Sequence, residues 1–353
     1  MQTLTGPATT TYSAGIDLHK KPVQVHVINA DGTTVYHGTI RKNKRAALRA
    51  LLARFGTNIT VGLESTYNWY WVADELAGLG IPCLLGHATD VHAQMPGKHK
   101  TDPLDAEKIS RMVWTGTLPP AYCYPARWRA TRDLLRKRLR LVWEHTRHLL
   151  HAEGVADQYL LAESSLTAAG YSAAFEADVE QLLDTDQYLQ VVLAGVIKKL
   201  EATILQRAQV HDQQLFDLFE RIPGIGPVIA LTLLYEIHDI ARFRTPQQFA
   251  SYARVVNARC ESAGKRVGRG KNKRGNPYLC RVLHTLALTS VRYMPPLAEW
   301  YRATIARHGR RTARRILAHK WAVAIHAIWR RREAFDLGKF LGTAYQPRAQ
   351  HSH

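Results

Sequence analysis

The sequence predicts an α/β domain followed by an all-α half, and three observations carry that reading. In the first 120 or so residues, short runs of β-branched and apolar residues alternate with helical patterns. Beyond them strand signals give way to long helical periodicities. The third observation is charge: 353 residues carry a formal +19, with a pI near 9.9. An excess of that size points to a polyanionic partner, nucleic acid before an anionic membrane.

Taken in order, residues 1–11 are Thr-rich and expected to be loose. Tyr12 to Leu18, Val23 to Asn29 and Thr34 to Ile40 read as three strands, with a hairpin signal at Ala30-Asp31-Gly32. Residues 43–55 carry Ala46, Ala47, Leu48, Leu51 and Leu52 at helical spacing and stop at Gly56. Asn58 to Glu64 reads as a strand, Trp69 to Leu79 as a helix, and Ile81 to Leu85 as a fifth strand. Another helix is expected from Asp102, an N-cap followed by Pro103 at the first helical position, with Asp105 at the positive end of the dipole. The order βββαβαβ and then a helix matches the ribonuclease-H-like fold. Leu118 to Pro125, with its prolines and aromatics, reads as a linker.

The second half is mainly helical. Arg129–His151, rich in arginine, and a stretch of about Asp178–Gln214, with Leu182, Leu189, Val192, Val196, Leu200 and Leu205, have helical spacing. A coiled-coil arm of the kind that mediates self-association and a plain intramolecular bundle both fit. Pro223-Gly224-Ile225-Gly226, between apolar helical stretches, has a helix-hairpin-helix pattern. Gly224 and Gly226 would let backbone N–H groups approach a phosphate, or would simply tighten a helix connection. Lys265, Arg266, Arg269, Lys271, Lys273 and Arg274, interleaved with glycines, suit a loop that neutralises a nucleic-acid backbone. A second basic cluster from Arg302 to Lys320 falls on an expected helix pair. The implied organisation is 1–120, 121–214 and 215–345, with 346–353 a disordered tail.

Four acids are candidates for chemistry. Asp17 and Glu64 each end an expected strand, and Asp102 and Asp105, three apart on a helix, share a face. Each has a structural alternative: a turn residue at Asp17, a helix cap at Glu64, a helix start at Asp102 and Asp105. Converging, they suit Mg²⁺ or Mn²⁺, which take oxygen ligands and activate attack on a phosphodiester. His19 and His99 are read as solvated or facing nucleic acid, since hard metals prefer oxygen. Cys83, Cys123, Cys260 and Cys280 form no C-x-x-C pair, which argues against structural zinc and for a reducing cytoplasm. No apolar run of about eighteen residues occurs, so no membrane partner is expected.

Gly15-Ile16-Asp17-Leu18-His19-Lys20, Gly62-Leu63-Glu64-Ser65 and the segment from Lys98 to Ala106 resemble motifs of the DEDD transposases. This is the insertion-sequence one-hundred-and-ten family, which includes Piv-type DNA invertases. Pro223-Gly224-Ile225-Gly226, Glu261-Ser262-Ala263-Gly264-Lys265 and Lys273-Arg274-Gly275-Asn276-Pro277 follow the family's second domain in order, so the similarity runs over about residues 12–333. The resemblance implies a RuvC-like catalytic domain, a coiled-coil middle and a C-terminal transposase domain. It implies that Asp17, Glu64, Asp102 and Asp105 bind divalent metal and that Ser262 is a nucleophile giving a phosphoseryl-DNA link. One departure is the alanine between Ser262 and Gly264, where the family usually has Ser-Gly or Ser-Ser-Gly. The family is associated with a structured guide (bridge) RNA that pairs with target and donor DNA, with the basic surfaces, Lys98 and Lys100 among them, as docking sites. It further implies a homodimer assembling to a tetramer in the cytoplasm, on the nucleoid. The rivals are a hydrolytic RuvC-like nuclease or junction resolvase, a Piv-like invertase without guide RNA, and a non-catalytic nucleic-acid-binding protein.

Overall fold

The first strand, β1 (Tyr12–Leu18), is buried along almost its whole length, as a strand covered on both faces must be. It lies third in a sheet of order β3-β2-β1-β4-β5 in the computed structural model. The structure describes residues 10–94, 102–256, 258–262, 265–270 and 274–342, of which 102–103, 258–262 and 265–270 are described by their backbone only. The expected disordered tail, 346–353, and most of the Thr-rich start therefore lie outside the described residues.

Beside β1 run β2 (Val23–Ile28) and then β3 (Thr34–Ile40), both antiparallel to their neighbours, joined by the turn at Asn29–Thr33. β3 is the partly exposed edge. After α1 (Lys44–Ala53), β4 (Ile59–Glu64) returns parallel to β1 on its other side. Then α2 (Tyr70–Gly78) leads to β5 (Cys83–Gly86), parallel to β4. A short helix, α3 (Ala88–Ala93), was not expected from sequence; its single buried apolar residue, Val91, gives too little periodicity to detect. Next comes α4 (Asp102–Trp114), which lies across β1, β2 and β4. Ile109, Met112 and Val113 of this helix join Val91 and Leu118 in a core cluster. Up to α4 the expected elements match the observed ones to within about two residues, whereas the helices expected at Arg129–His151 and about Asp178–Gln214 run over Ala126–Gln158 and Ala173–Arg207.

The chain forms two compact units, Met1–Arg127 and Trp128–His353. The second unit starts with α5 (Ala126–Gln158) and α6 (Ala173–Arg207). These helices form an antiparallel hairpin within the chain: Arg138 pairs with Glu201, and His148 and His151 both hold the buried Asp186 carboxylate. At its tip Val155, Leu166 and Val179 make a small core. α7 (Gln213–Glu220) and α8 (Pro227–Ile237) follow, the latter buried from Ala230 to Ile237. A 3₁₀ turn at Ile240–Arg242 precedes α9 (Pro246–Tyr252). The stretch expected to be a loop from Glu261 onward instead contains an antiparallel ribbon, β6 (Ala258–Ser262) with β7 (Lys265–Gly270). Its residues lack the apolar alternation that marks a strand, but a two-stranded ribbon held by backbone pairs has no need of a core face. Helices α10 (Pro277–Tyr293), α11 (Pro295–His308), α12 (Arg310–Arg331) and α13 (Leu337–Leu341) complete the unit. α12 is its central element, with Ala318, Trp321, Ala322 and Ile325 wholly buried and the Trp321 indole N–H donating to Ser290 Oγ at 3.0 Å.

Candidate active site

Two glycines decide where the acids point. A Cβ on Gly15 would lie 2.1 Å from the Ala106 carbonyl oxygen and 2.4 Å from the Ser110 nitrogen, so α4 packs its backbone directly onto β1. A Cβ on Gly62 would meet Val113 of the same helix at 2.3 Å. Side chains two apart on a strand share a face, so Asp17 and Glu64 are on the α4 side of the sheet. Their strands are adjacent and parallel, with Ile16 opposite Leu63, which puts the two acids side by side at the strand ends.

The helix direction brings Asp105 to the same end. Trp114, at the C-terminus of α4, donates its indole N–H to Ala30 O at 3.0 Å. That turn adjoins the start of β1, where Ser13 pairs with Ile28. The first turn of α4 therefore lies toward the other end, where Asp17 and Glu64 are. A buried network holds this docking. His26 Nδ1 is 2.7 Å from Ser110 Oγ, the Ser110 hydroxyl donates to Glu107 O, and His26 Nε2 is 3.1 Å from Thr34 Oγ1. With the serine proton already committed, Nδ1 carries the imidazole proton and Nε2 accepts. Burial lowers the His26 pKa, keeping the ring neutral as this network requires.

The acids are 7 % (Asp17), 9 % (Glu64) and 9 % (Asp105) exposed. Each has a basic neighbour. His19, expected to be solvated or to face nucleic acid, has its Nε2 2.7 Å from Asp17 Oδ2; because an ionised carboxylate only accepts, the imidazole donates. His92 Nε2 lies 3.3 Å from Glu64 Oε1, and Lys108 Nζ 3.8 Å from Asp105 Oδ1. Glu64 caps no helix, because α2 starts only at Tyr70 and has no side-chain cap. Among the described residues no three His, Cys, Asp or Glu side chains are close enough to hold one ion. The Asp102 side chain lies outside the described residues. The donor chemistry still suits a hard divalent cation: carboxylate oxygens only, with Asp105 Oδ1 buried and without a hydrogen-bond partner.

In the second unit Ser262 ends β6 opposite Lys265. The side chains of Ser262, Lys265, Arg266 and Arg269, and all of Lys98, Lys100, Lys271 and Lys273, lie outside the described residues; Arg274 is exposed. Gly226 is the N-cap of α8, with open space where a Cβ would stand. Gly224, at φ +96°, is required by packing: a Cβ there would be 2.9 Å from the Ser290 backbone on α10.

Two family models match the chain. A transposase model of the DEDD type covers residues 14–161, with all four acids, and the model of the IS116/IS110/IS902 transposase family covers residues 216–302, with Ser262. The chain belongs to the IS110 family of DEDD transposases. It is 24 % identical over 341 residues to the transposase for insertion sequence element IS1111A of Coxiella burnetii, spanning 92 % of this chain and 91 % of that one. A probable family 20 transposase of Pseudomonas aeruginosa is 24 % identical over 343 residues, 92 % of this chain and 98 % of its own length. No described helix of this transposase is long and apolar enough to cross a membrane. Sequence reasoning passed over His19 and His92 as partners of the acids, and also Glu236, a fully buried carboxylate on α8. The signal for Glu236 was present: one acid inside the apolar run from Ala230 to Ile237 must be paired if that run is buried.

Proposed function

We propose that this IS110-family transposase cuts and rejoins DNA through a serine-linked intermediate, with Asp17, Glu64, Asp102 and Asp105 as metal ligands and Ser262 as the nucleophile that joins them in a composite site across subunits. The observation that carries the reading is the placing of Asp17, Glu64 and the first turn of α4 at one end of one sheet, in a chain of this family. The strand order β3-β2-β1-β4-β5 supports a ribonuclease-H-like, RuvC-like domain over about residues 1–120. The helical hairpin supports a coiled-coil-like middle to about residue 214, and α7 with α8 supports a helix-hairpin-helix in the transposase domain.

Asp17, Glu64, Asp102 and Asp105 would hold Mg²⁺ or Mn²⁺. Such an ion supplies Lewis-acid stabilisation of the charge that develops on phosphate oxygens. The protein's own part is nucleophilic. Ser262 Oγ attacks phosphorus, an Oγ–P bond forms, and the P–O bond to the leaving deoxyribose oxygen breaks, that oxygen departing with the proton. A hydroxyl of the incoming strand reverses the step, so no ATP is consumed. Gly226, Lys98, Lys100, Lys265, Arg266, Arg269, Lys271, Lys273 and Arg274 bind phosphates of target DNA, donor DNA and guide RNA. The net charge of +19 supports a protein that recognises backbone and leaves sequence choice to RNA. Work on the nucleoid as a homodimer or tetramer completes the reading.

The test is to incubate the protein with DNA from its own flanking ends and look for an adduct surviving denaturation. Wild type forms it with Mg²⁺, chelation with EDTA abolishes it, and Ser262→Ala lacks it. Strand exchange by Ser262→Ala would overturn the serine-linked mechanism, and cleavage by wild type without any adduct would point to the hydrolytic-nuclease chemistry. Sequencing copurifying RNA tests the guide: a discrete RNA complementary to the DNA junctions supports it, and random RNA removes it.

A further inference from the structure

We infer that Glu236 is a positioning residue for DNA cleavage: it fixes, through Asn276, the root of the β6–β7 ribbon that carries Ser262. The inference rests on the reading of Ser262 as nucleophile. The chain leaves α9 at Tyr252 to enter the ribbon and returns to α10 at Asn276, and these two legs are tied together. Asn276 N–H donates to Tyr252 O at 2.6 Å, and Arg254 Nε donates to Arg274 O at 2.9 Å. Between the legs, Gly275 has φ +94°, and a Cβ there would lie 2.3 Å from Tyr252 O. The root therefore has one tight arrangement.

What holds it to the rest of the unit is a buried charge. Asn276 is 3 % exposed and uses both ends of its amide. Its Oδ1 caps α10, accepting from the Tyr278 and Leu279 N–H groups at 2.9 and 3.1 Å, and its Nδ2 donates to Glu236 Oε2 at 2.7 Å. Glu236 is itself held by α5. Arg132 donates to Oε2 from Nε and Nη2 at 3.2 and 3.1 Å, and Arg136 donates to Oε1 at 2.5 Å and to Oε2 at 2.8 Å. Arg136 also lies 4.4 Å from the ring centre of Tyr278, two residues after Asn276. Tyr278 stacks on Trp143 of α5, whose ring is covered by Arg281 at 4.0 Å. One carboxylate thus joins three helices at the point where the ribbon is rooted. Burial pushes the Glu236 pKa up, but the Arg136 hydrogen bond and the Arg132 and Arg136 charges hold it below the ordinary value, so it is anionic at neutral pH. Simple core stability would be served as well by apolar residues here. The connection to the ribbon root makes it a positional device.

The experiment uses the full-length protein and a fluorophore-labelled duplex of its own flanking ends. It compares the rate of covalent adduct formation at saturating DNA, normalised to folded protein, with DNA affinity by anisotropy. Glu236→Gln removes the charge, and Asn276→Asp keeps the α10 cap while losing the donor to Glu236. Each is expected to slow adduct formation by about 10²-fold, the cost of a displacement near 1 Å at a reacting group, with affinity unchanged. The double swap Glu236→Gln with Asn276→Asp restores a donor facing an acceptor and should recover most of the rate. Where either single variant is unfolded by circular dichroism, Arg136→Lys, which keeps the charge and drops the forked contact, takes its place. Unchanged rates per folded molecule would overturn the inference, since a purely structural role moves stability alone. Adduct formation by Ser262→Ala would instead refute the nucleophile reading, so the two failures are distinct.

Discussion

Asp17 sits two residues before the imidazole that holds it, while Glu64 takes its histidine from α3. Both carboxylates are nearly buried, and a buried anion needs a compensating positive group. In the proposed reaction that group is the cation; Asp17→Asn and Glu64→Gln should each cut adduct formation by roughly 10³-fold, several kcal/mol of lost charge stabilisation, with DNA binding retained. Retention of activity in both variants would sink the metal assignment. A different pH response is expected at His284. Burial first, and then Arg314, Arg315 and Arg281, hold its pKa down from the ordinary 6.5 to about 4. The unfolded chain takes up this proton first as the pH falls. The stability linked to the group is therefore complete above the unfolded value and is lost as pH drops from there toward the folded value. The urea midpoint of wild type should decline over that window, and His284→Gln should flatten the decline. For Glu236→Ala, about 3–5 kcal/mol of stability should be lost, because the buried Arg132 and the half-buried Arg136 would remain without their anion.

At the level of elements, α4 is positioned by what β1 lacks. With the Ala106 carbonyl 2.1 Å from where a Gly15 Cβ would stand, Gly15→Ala must push α4 off the sheet. It should cost about 1–3 kcal/mol in urea unfolding. Because Asp105 moves with the helix, cleavage should fall by more than stability alone explains. Gly78→Ala, where a Cβ meets nothing, is the matched control. The first unit was legible because its strands are buried apolar runs punctuated by Gly and Asn-Ala-Asp-Gly, and its acids fall at the ends of those runs. The β6–β7 ribbon was not legible, since basic and glycine residues give no alternation and only backbone pairing reveals the strands. The role of Gly224 was hidden for another reason: its tight neighbour is Ser290, 66 residues on, and local pattern cannot report a long-range contact. Pairings such as Asp17 with His19 were near in sequence, yet a histidine beside an acid has no signature separating partner from neighbour.

The molecule as a whole carries +19, and that charge is a prediction about binding. Each phosphate neutralised by Lys or Arg releases condensed counterions, so log K should fall linearly with log salt, at about −0.9 per phosphate on duplex DNA. If six to ten phosphates are contacted, affinity should drop by roughly 10³–10⁵ between 50 and 200 mM salt. The charges are not spread evenly. Arg281 on α10 and Arg314 and Arg315 on α12 act together on His284, marking one dense positive region of the second unit. Arg314→Gln should reduce the magnitude of the salt slope by about one and weaken binding equally for all sequences, as expected of a backbone contact. Titration of the two proteins with one duplex at four salt concentrations reads both effects. An unchanged slope would mean that this face does not touch the DNA, and a change confined to one sequence would mean that Arg314 reads a base. Parallel lines of lower intercept would assign it to folding or orientation, leaving the counterion release to the ribbon and to Lys98 and Lys100.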